Sequence, residues 1–231
     1  IHIVRASPHF WEEPCISGKN GSGTVFFSGC SLRCVFCQNA KISREDCGKN
    51  FSVPEFADFL LNYSKSGVHN INLVTPTHFS DKIAEALELV KKDLGIPVVW
   101  NCGGYEKKET LKRLSGLVDI YLADSKFYSS EVSARYAACP DYFKVNAEAL
   151  EEMFFQQPEN IYSDDGIMQK GVIVRHLVLP ANTSDSRKLL SKLKERFSEN
   201  ITLSLMCQYI PAGDAEKFPE INRRLRRKEF K

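Results

Sequence analysis

Three cysteines lie within eight residues of this 231-residue chain, and together they could hold a metal cluster. They are Cys30, Cys34 and Cys37, in the run Gly-Cys-Ser-Leu-Arg-Cys-Val-Phe-Cys at residues 29–37. Cysteine thiolates are the usual ligands of iron–sulfur clusters, and three of them can hold three corners of a 4Fe-4S cube. Because no fourth cysteine follows at close spacing, one iron is left open for a ligand that is not protein.

Zinc binding and redox chemistry are the other interpretations of closely spaced cysteines. A structural zinc site needs four ligands, and no CxxC, CxxH or HxxxH pair follows downstream. A redox CxxC pair would leave Cys30 without a role. Cys15 has no near partner, so we expect it to be a packed thiol. The spacing therefore favours a cluster.

The segment before the cysteines indicates how they are positioned. Residues 24–27 read Thr-Val-Phe-Phe and lie between Gly23 and Gly29, a pattern typical of a short buried strand. The cysteine loop would then follow the carboxyl end of a strand, which is where barrel enzymes carry their active sites.

Strand-like and helix-like segments alternate along the rest of the chain. We expect strands at residues 24–27, 71–74, 97–101, 119–122, 172–179 and 201–205, and helices at 54–64, 81–92, 106–114, 130–137, 147–155 and 184–197. This alternation gives a parallel sheet with helical crossovers. Since six units are fewer than the eight of a closed barrel, the sequence predicts an α/β fold: a partial (β/α)6 TIM-type barrel, open on one side.

One domain should cover residues 1–231, because 43% hydrophobic residues suffice for a core without disulfides. Within it we expect an N-terminal extension at 1–22, the partial-barrel core at 23–210 and a basic C-terminal tail at 211–231. Residues 156–170 form the clearest loop, with Asp164 and Asp165 in a turn.

The net charge of +2 is too small to indicate a membrane or nucleic acid as the main partner. The basic run at residues 223–228 is an exception, interpreted either as the solvated face of a terminal helix or as a docking surface, for an acidic protein or else for nucleic acid. Eight cysteines without a leader sequence or an apolar run of membrane-spanning length predict a cytoplasmic, reducing location.

The CxxxCxxC motif, with Phe36 before the last cysteine, resembles that of the radical S-adenosylmethionine (SAM) superfamily. Residues 23–30, 74–78, 124–126 and 208–209 are similar to the branch of pyruvate formate-lyase activating enzymes. The resemblance covers nearly the whole chain, and the cysteine motif is its most specific part. There is one departure: many activating enzymes carry Gly-Gly-Glu after the second strand to hold the methionine amino group, where this chain has Thr-Pro-Thr at 75–77.

The resemblance implies a radical mechanism. SAM would bind the open iron, and an electron from the reduced cluster would cleave it to methionine and a 5′-deoxyadenosyl radical, which takes a hydrogen atom from the substrate. In activating enzymes that substrate is a backbone glycine of a glycyl radical enzyme, and the electron donor would be a low-potential protein such as flavodoxin or ferredoxin. Two alternatives stay open: a radical enzyme acting on another peptide or small molecule, and a non-catalytic iron–sulfur or zinc protein.

Polar residues near the carboxyl ends of the predicted strands are candidate SAM ligands, since parallel strands would bring them to the cysteine loop. Arg175 or Lys126 suits the methionine carboxylate, and Asp124 and Asn101 suit the ribose diol. The other candidates are Phe36 for the adenine, Gly103 for close backbone approach, the hydroxyls of Thr75 and Thr77 in place of the missing carboxylate, and the polar groups of Ser125 and Gln208.

Overall fold

The computed structural model describes residues 1–197 and 201–229, which contain nine strands and eight α-helices. The strands are β1 (His2–His9), β2 (Ser22–Phe27), β3 (Lys49–Asn50), β4 (Ile71–Val74), β5 (Val98–Cys102), β6 (Ile120–Asp124), β7 (Ile161–Tyr162), β8 (Met168–Leu177) and β9 (Thr202–Met206). The helices are α1 (Pro14–Ser17), α2 (Ala40–Arg44), α3 (Val53–Ser64), α4 (Ser80–Val90), α5 (Lys108–Arg113), α6 (Ser130–Ala137), α7 (Tyr142–Gln156) and α8 (Thr183–Phe197).

Six strands form a continuous parallel sheet in the order β2-β4-β5-β6-β8-β9. These are the six strands expected from the sequence, each within a few residues of its expected bounds. In the described part of the chain β9 pairs only with β8, so the sheet does not close. The predicted open partial barrel is confirmed.

Three further strands were not expected, and all three run antiparallel to their partners. β1 pairs with β2 and β3 pairs with β1, so the sheet extends into the segment predicted as an N-terminal extension. β7 pairs with the first residues of β8, inside the predicted loop 156–170. β1 contains Pro8, which a strand near the edge of a sheet tolerates. The other two strands have only two residues each, too few to show a period.

The helices begin and end close to their expected bounds, except for α5 and α7. The N-terminus of α3 is a capping box, in which Glu55 N donates to Ser52 Oγ while Ser52 N donates to the Glu55 carboxylate at 2.8 Å. α7 begins five residues before the expected position, and its first residue, Tyr142, is fully buried. Residues 164 and 165 form the expected turn.

The two faces of the parallel strands have different partners. On the outer face, side chains such as Trp100 and Tyr121 pack against the helices and form the main core. On the inner face, the lower layer is apolar and includes Val99 and Ile120. Nearer the carboxyl edge, the inner face turns polar. The fold therefore places polar groups inside the barrel, at the end where the cysteine loop emerges.

The segment around α1 closes the amino end of the barrel. Ile16 is fully buried and packs against the inner apolar layer. Its carbonyl accepts a hydrogen bond from Asn70 Nδ2 at 2.8 Å. This segment was predicted as an extension outside the barrel core, and it brings Glu12 to the cavity described below.

The basic run at 223–228 does not lie on a helix face, which corrects one of its two interpretations. The regular structure there is a single 3-10 turn at Arg227–Glu229. Glu229 is its anchor: its carboxylate accepts bonds from both terminal nitrogens of Arg223 at 2.8 Å, from Arg226 N and from Ala181 N. These bonds hold the segment in an irregular conformation. No helix in the described ranges is long and apolar enough to cross a membrane.

Candidate active site

The cysteine loop leaves β2 at its carboxyl end and places Cys30, Cys34 and Cys37 on one cavity. The Leu32 amide donates to Cys30 Sγ at 3.4 Å, and Ser43 Oγ lies 3.6 Å from Cys37 Sγ. Hydrogen bonds to sulfur are among the means by which proteins tune iron–sulfur clusters. The loop thus offers three thiols with polar neighbours.

Three thiols in one loop are the donor set that a 4Fe-4S cluster with one open corner requires. In the described ranges, no three cysteine, histidine or acidic side chains converge closely enough to hold one metal ion. A cube does not require such convergence, because each of its cysteine ligands binds a different iron. The donor set therefore fits a 4Fe-4S cluster with an open corner.

Burial and the charge of Lys126 act on the thiols in opposite directions. Burial raises the pKa of Cys34 to about 12 and raises the pKa of Cys30, while the charge of Lys126 opposes both shifts. Thiols in this setting stay protonated unless a metal displaces the proton. Lys126 is the cation placed to stabilise the thiolates.

The cavity has a volume of about 460 Å³ and lies between the cysteine loop and the inner face of the strands. Most of the predicted ligands line it: Phe36, Thr75, Asn101, Gly103, Asp124, Lys126, Arg175 and Gln208, with the three cysteines. A cavity of this size is in the range for a small-molecule cofactor. The parallel sheet brings these residues together from six separate stretches of the chain.

Two predicted ligands, Thr77 and Ser125, lie outside the cavity lining. Ser125 Oγ donates to Asn146 Oδ1 at 2.6 Å, which turns this buried side chain toward α7. Thr77 Oγ1 donates to Glu106 Oε1 at 2.6 Å. Both hydroxyls bond to protein acceptors here, and their role as SAM ligands stays a prediction.

Arg175 is the centre of a partly buried charge network on the inner face of the strands. Its Nε donates to Asp124 at 2.9 Å, its Nη1 to Glu12 at 3.1 Å and its Nη2 to Asn101 at 2.6 Å. Asp124 also pairs with the Lys126 ammonium. Burial acts to raise the pKa of Asp124, but the charges of Arg175 and Lys126 outweigh it and hold that pKa below its ordinary value. Two carboxylates thus balance two cations.

Glu12 and Glu106 also contribute to this region, and neither was among the residues predicted from the sequence. Glu12 lies 163 residues from Arg175, in a segment without a periodic pattern. Glu106 is buried beside Thr77, and its Oε2 has no hydrogen-bond partner among the described residues. Burial raises the pKa of Glu106 to about 7, although the Thr77 hydroxyl opposes this shift. Its place three residues after Gly103 was the only available signal.

Two glycines and one strained threonine shape the loops around the cavity. Gly104 has φ +71°, and a Cβ there would lie 1.9 Å from the Asp124 carbonyl oxygen. A Cβ on Gly103 would lie 2.7 Å from the Leu32 side chain. Thr75 has φ +59°, and its amide donates to the Asn101 carbonyl at 2.8 Å. The turn after β4 therefore holds a threonine in the left-handed region that favours glycine.

The C-terminal segment packs over the cysteine loop. Gly213 has φ +58°, and a Cβ there would lie 2.8 Å from Val35 O and 3.2 Å from Cys37 O. The Asp214 amide donates to Val35 O at 2.6 Å, and its carboxylate pairs with Arg44. Phe36 packs edge-on against Phe127 at a centroid distance of 6.1 Å. The loop is thus held between the barrel and the C-terminal segment.

Comparison with known proteins shows which families share this arrangement. The sequence profile described as "Radical SAM superfamily" matches residues 24–153. An uncharacterized protein, MJ0674, of Methanocaldococcus jannaschii is 32% identical over 218 residues, covering 90% of this chain and 60% of that protein. The pyruvate formate-lyase-activating enzyme of Listeria monocytogenes is 25% identical over 181 residues, covering 74% of this chain and 67% of the enzyme.

Solved structures share the fold at low sequence identity. Streptococcus suis SuiB bound to S-adenosylmethionine superposes with a TM-score of 0.56 and 13% identity, over 88% of this chain and 44% of SuiB. Native anSMEcpe with bound AdoMet and Cp18Cys peptide gives a TM-score of 0.57 and 14% identity, over 88% of this chain and 54% of anSMEcpe. The chain thus spans 60% of the archaeal relative and about half of these two solved chains.

Proposed function

Because the chain belongs to the radical SAM superfamily, we propose that it cleaves SAM reductively at a 4Fe-4S cluster held by Cys30, Cys34 and Cys37. The observation that carries the proposal is the placement of these three thiols on one cavity, which Asp124, Lys126 and Arg175 also line. When bound, the cluster supplies the electron that splits SAM into methionine and a 5′-deoxyadenosyl radical.

Lys126 is the residue best placed to bind the methionine carboxylate. Each of the three side-chain nitrogens of Arg175 already donates to a protein acceptor, whereas Lys126 is bound only by Asp124 in the described part of the chain. Lys126 also acts electrostatically on Cys34, so it lies near the thiols. A carboxylate held by Lys126 would reach the open iron with its charge compensated.

The other cavity residues would orient the rest of SAM. Asp124 and Asn101 offer oxygens that can accept from the ribose hydroxyls. Gly103 lets the backbone approach the ligand, and the Phe36 ring offers an apolar wall for the adenine. Thr75 and Gln208 add polar groups at the cavity wall. Arg175 would act as a positioning residue, because it holds Asp124 and Asn101 in place.

The substrate class we favour is a backbone glycine of a glycyl radical enzyme. Supporting it is the 25% identity to a pyruvate formate-lyase-activating enzyme, together with the open side of the barrel, which can admit a loop of a large protein. The Thr-Pro-Thr turn after β4 favours the second candidate, a radical enzyme acting on another peptide or small molecule. All eight cysteines are free thiols, which suits a protein of the reducing cytoplasm. The electron donor would be a low-potential protein such as flavodoxin or ferredoxin.

The test of SAM cleavage is anaerobic. The protein is reconstituted with iron and sulfide, reduced with dithionite and supplied with SAM, and 5′-deoxyadenosine is measured by chromatography. We expect product from the wild type, whereas Cys34→Ala should lose both the iron and the product. The matched control is Cys15→Ala, at a cysteine packed beside the lower barrel layer, which should keep both. Iron retained in full by Cys34→Ala would contradict the ligand assignment.

The substrate is tested by hydrogen transfer. A glycyl radical enzyme labelled with α-deuterated glycine is added to the reduced protein and SAM. We expect deuterium in the 5′-deoxyadenosine and a glycyl radical signal in the electron paramagnetic resonance spectrum. Product that stays free of deuterium would favour the second candidate.

A further inference from the structure

β1 adds a polar wall to the cavity, and the proposed SAM chemistry does not use it. The strand runs antiparallel to β2, and in the register of the pair Arg5 lies opposite Phe26 and His9 opposite Ser22. Residues that lie opposite each other in such a pair point to the same face of the sheet. Arg5, His9 and Phe26 all line the cavity. The inner wall of the barrel therefore extends by one strand beyond β2.

An aromatic ring holds Arg5 at this wall. The guanidinium carbon lies 4.6 Å from the centroid of the Phe26 ring, which is the distance of a cation–π contact. Phe26 is buried and belongs to the wall itself. The ring offers no oxygen acceptor, so the contact does not satisfy the five N–H donors of the guanidinium.

The charges of the cavity lining are unequal. Five basic side chains and two carboxylates line it. Three of the basic side chains pair with carboxylates: Arg44, Lys126 and Arg175. Arg5 and Arg33 form no salt bridge within residues 1–197 and 201–229. SAM has one carboxylate, which Lys126 would bind. Arg33 belongs to the cysteine loop, whereas Arg5 lies on a separate wall and is held there by Phe26.

The wall formed by β1 lies at the open side of the barrel. β1 lies near one end of the sheet and β9 at the edge of its parallel part, and residues of both strands line the cavity. The cavity therefore reaches the gap between these two strands. The candidate SAM ligands Asn101, Asp124 and Arg175 lie on β5, β6 and β8, with β2 and β4 between them and β1. A molecule that enters through the gap would contact Arg5.

We propose that Arg5 binds a carboxylate or phosphate group of the substrate that gives up its hydrogen atom. This inference rests on the proposed function, because only a radical enzyme has such a substrate. The planar guanidinium can donate two parallel N–H bonds to either group. Arg5 exchanges no proton, electron or atom with the substrate and acts by positioning it. The anionic group belongs either to an acidic residue of a peptide or to a small molecule.

The test measures binding to the reconstituted holoprotein with SAM bound and the cluster left oxidised, so that no SAM is consumed. Calorimetry compares three pairs of compounds: acetyl-Gly-Asp-Gly-amide with acetyl-Gly-Asn-Gly-amide, succinate with succinamide, and glycerol phosphate with glycerol. We expect at least one anion to bind wild type at least about tenfold more tightly than its neutral partner. A preference confined to the peptide pair indicates a peptide substrate, and one confined to the other pairs indicates a small molecule.

Arg5→Gln should lose this preference, because glutamine has no charge and no paired donors. Arg5→Lys should keep part of it, since lysine retains the charge without the planar fork. The matched control is Arg187→Gln, at an exposed arginine of α8 that lies outside the cavity lining, and it should bind like wild type.

A second measurement reads Arg5 without any substitution. Phenylglyoxal modifies accessible arginines, and peptide mass spectrometry gives the rate at each position. An anion that binds should slow the modification of Arg5 and leave that of Arg187 unchanged.

Four outcomes would overturn the proposal. In the first, no anion binds wild type at about 10 mM. In the second, Arg5→Gln keeps the preference, and its loss in Arg33→Gln would then place the anion at Arg33. In the third, Arg187→Gln loses the preference as well. In the fourth, Arg5→Gln loses affinity for SAM, which would assign Arg5 to the cofactor.

Failure of the proposed function has a different signature. In that case the wild type would hold no cluster, or would form no 5′-deoxyadenosine with dithionite. Binding and modification need neither an electron nor SAM cleavage, so they still decide whether Arg5 binds an anion.

Discussion

Two carboxylates and two cations balance one another inside the barrel, and the chemistry of the cavity depends on that balance. A buried ion pair adds little net stability, because desolvation offsets the attraction, but removing one partner leaves an unpaired charge. Replacing Asp124 should have the largest effect, since it pairs with both Arg175 and Lys126 and its loss leaves two cations without a partner.

Asp124→Asn should keep the iron and lose affinity for SAM by at least about tenfold, because the ribose acceptor and the compensation of two cations are both weakened. The free energy of unfolding should fall by roughly 3 kcal/mol. Iron analysis, calorimetry with SAM and urea denaturation measure the three effects. Ser125→Ala is the control, at the next residue but outside the cavity, and should bind SAM normally. An unchanged SAM affinity in Asp124→Asn would remove Asp124 from the site.

Glu106 should make the stability of the protein depend on pH. Burial raises the pKa of Glu106 to about 7 in the folded state, from an ordinary value of 4.5. Between these values the folded state binds more protons than the unfolded state, so the free energy of unfolding decreases as the pH rises, by at most about 3 kcal/mol. Urea denaturation at pH 5, 6, 7 and 8 measures the slope.

Glu106→Gln is the comparison, because glutamine can still accept from Thr77 but does not titrate. The stability difference between variant and wild type should grow from pH 5 to pH 8 in favour of the variant. Parallel pH curves for the two proteins would show that Glu106 does not titrate in this range.

At the level of elements, α1 shows how a short irregular segment completes the barrel. Ile16 is fully buried, whereas Trp11, five residues earlier, is 89% exposed. Ile16→Ala should therefore lower the free energy of unfolding by about 3 kcal/mol, since it leaves a cavity in the lower layer. Trp11→Ala should change it by less than about 0.5 kcal/mol. Urea denaturation compares the two variants. Similarly small losses of stability in both would contradict the inference that Ile16 closes the amino end of the barrel.

At the level of the whole molecule, the open sheet should be unevenly stable. β5 and β6 lie between other strands, and almost all their residues are buried. β9 lies at the edge of the parallel sheet, with Leu203 39% and Leu205 49% exposed. Hydrogen exchange measured by mass spectrometry should be at least about tenfold slower in β5 and β6 than in β9, a difference of about 1.4 kcal/mol in the free energy of opening. Equal protection of β9 would contradict this order.

The alternation of strands and helices could be predicted because each element has a local pattern of apolar, turn and capping residues. Residues 71–74 and 119–122 are short apolar runs between turn signals, and helix α3 begins at a recognisable capping box. The cysteine spacing indicated a cluster for the same reason, since all three side chains lie in one loop. Parallel strands then placed Asn101, Asp124 and Arg175 at one edge of the sheet, and the structure brings them within hydrogen-bond distance.

Tertiary structure alone decided which of these polar groups stay available to a ligand. Arg175 donates a hydrogen bond to Glu12, 163 residues earlier in the chain, and no periodic pattern in the sequence predicts that contact. Ser125 and Thr77 turn to protein partners because Asn146 and Glu106 come within reach only in the fold. The hydrogen bonds of Glu229, rather than helix propensity, determine the conformation of the C-terminal segment. Sequence fixes the types and local order of the residues, whereas burial and long-range pairing assign their roles, because desolvation and charge pairing arise only when distant segments meet.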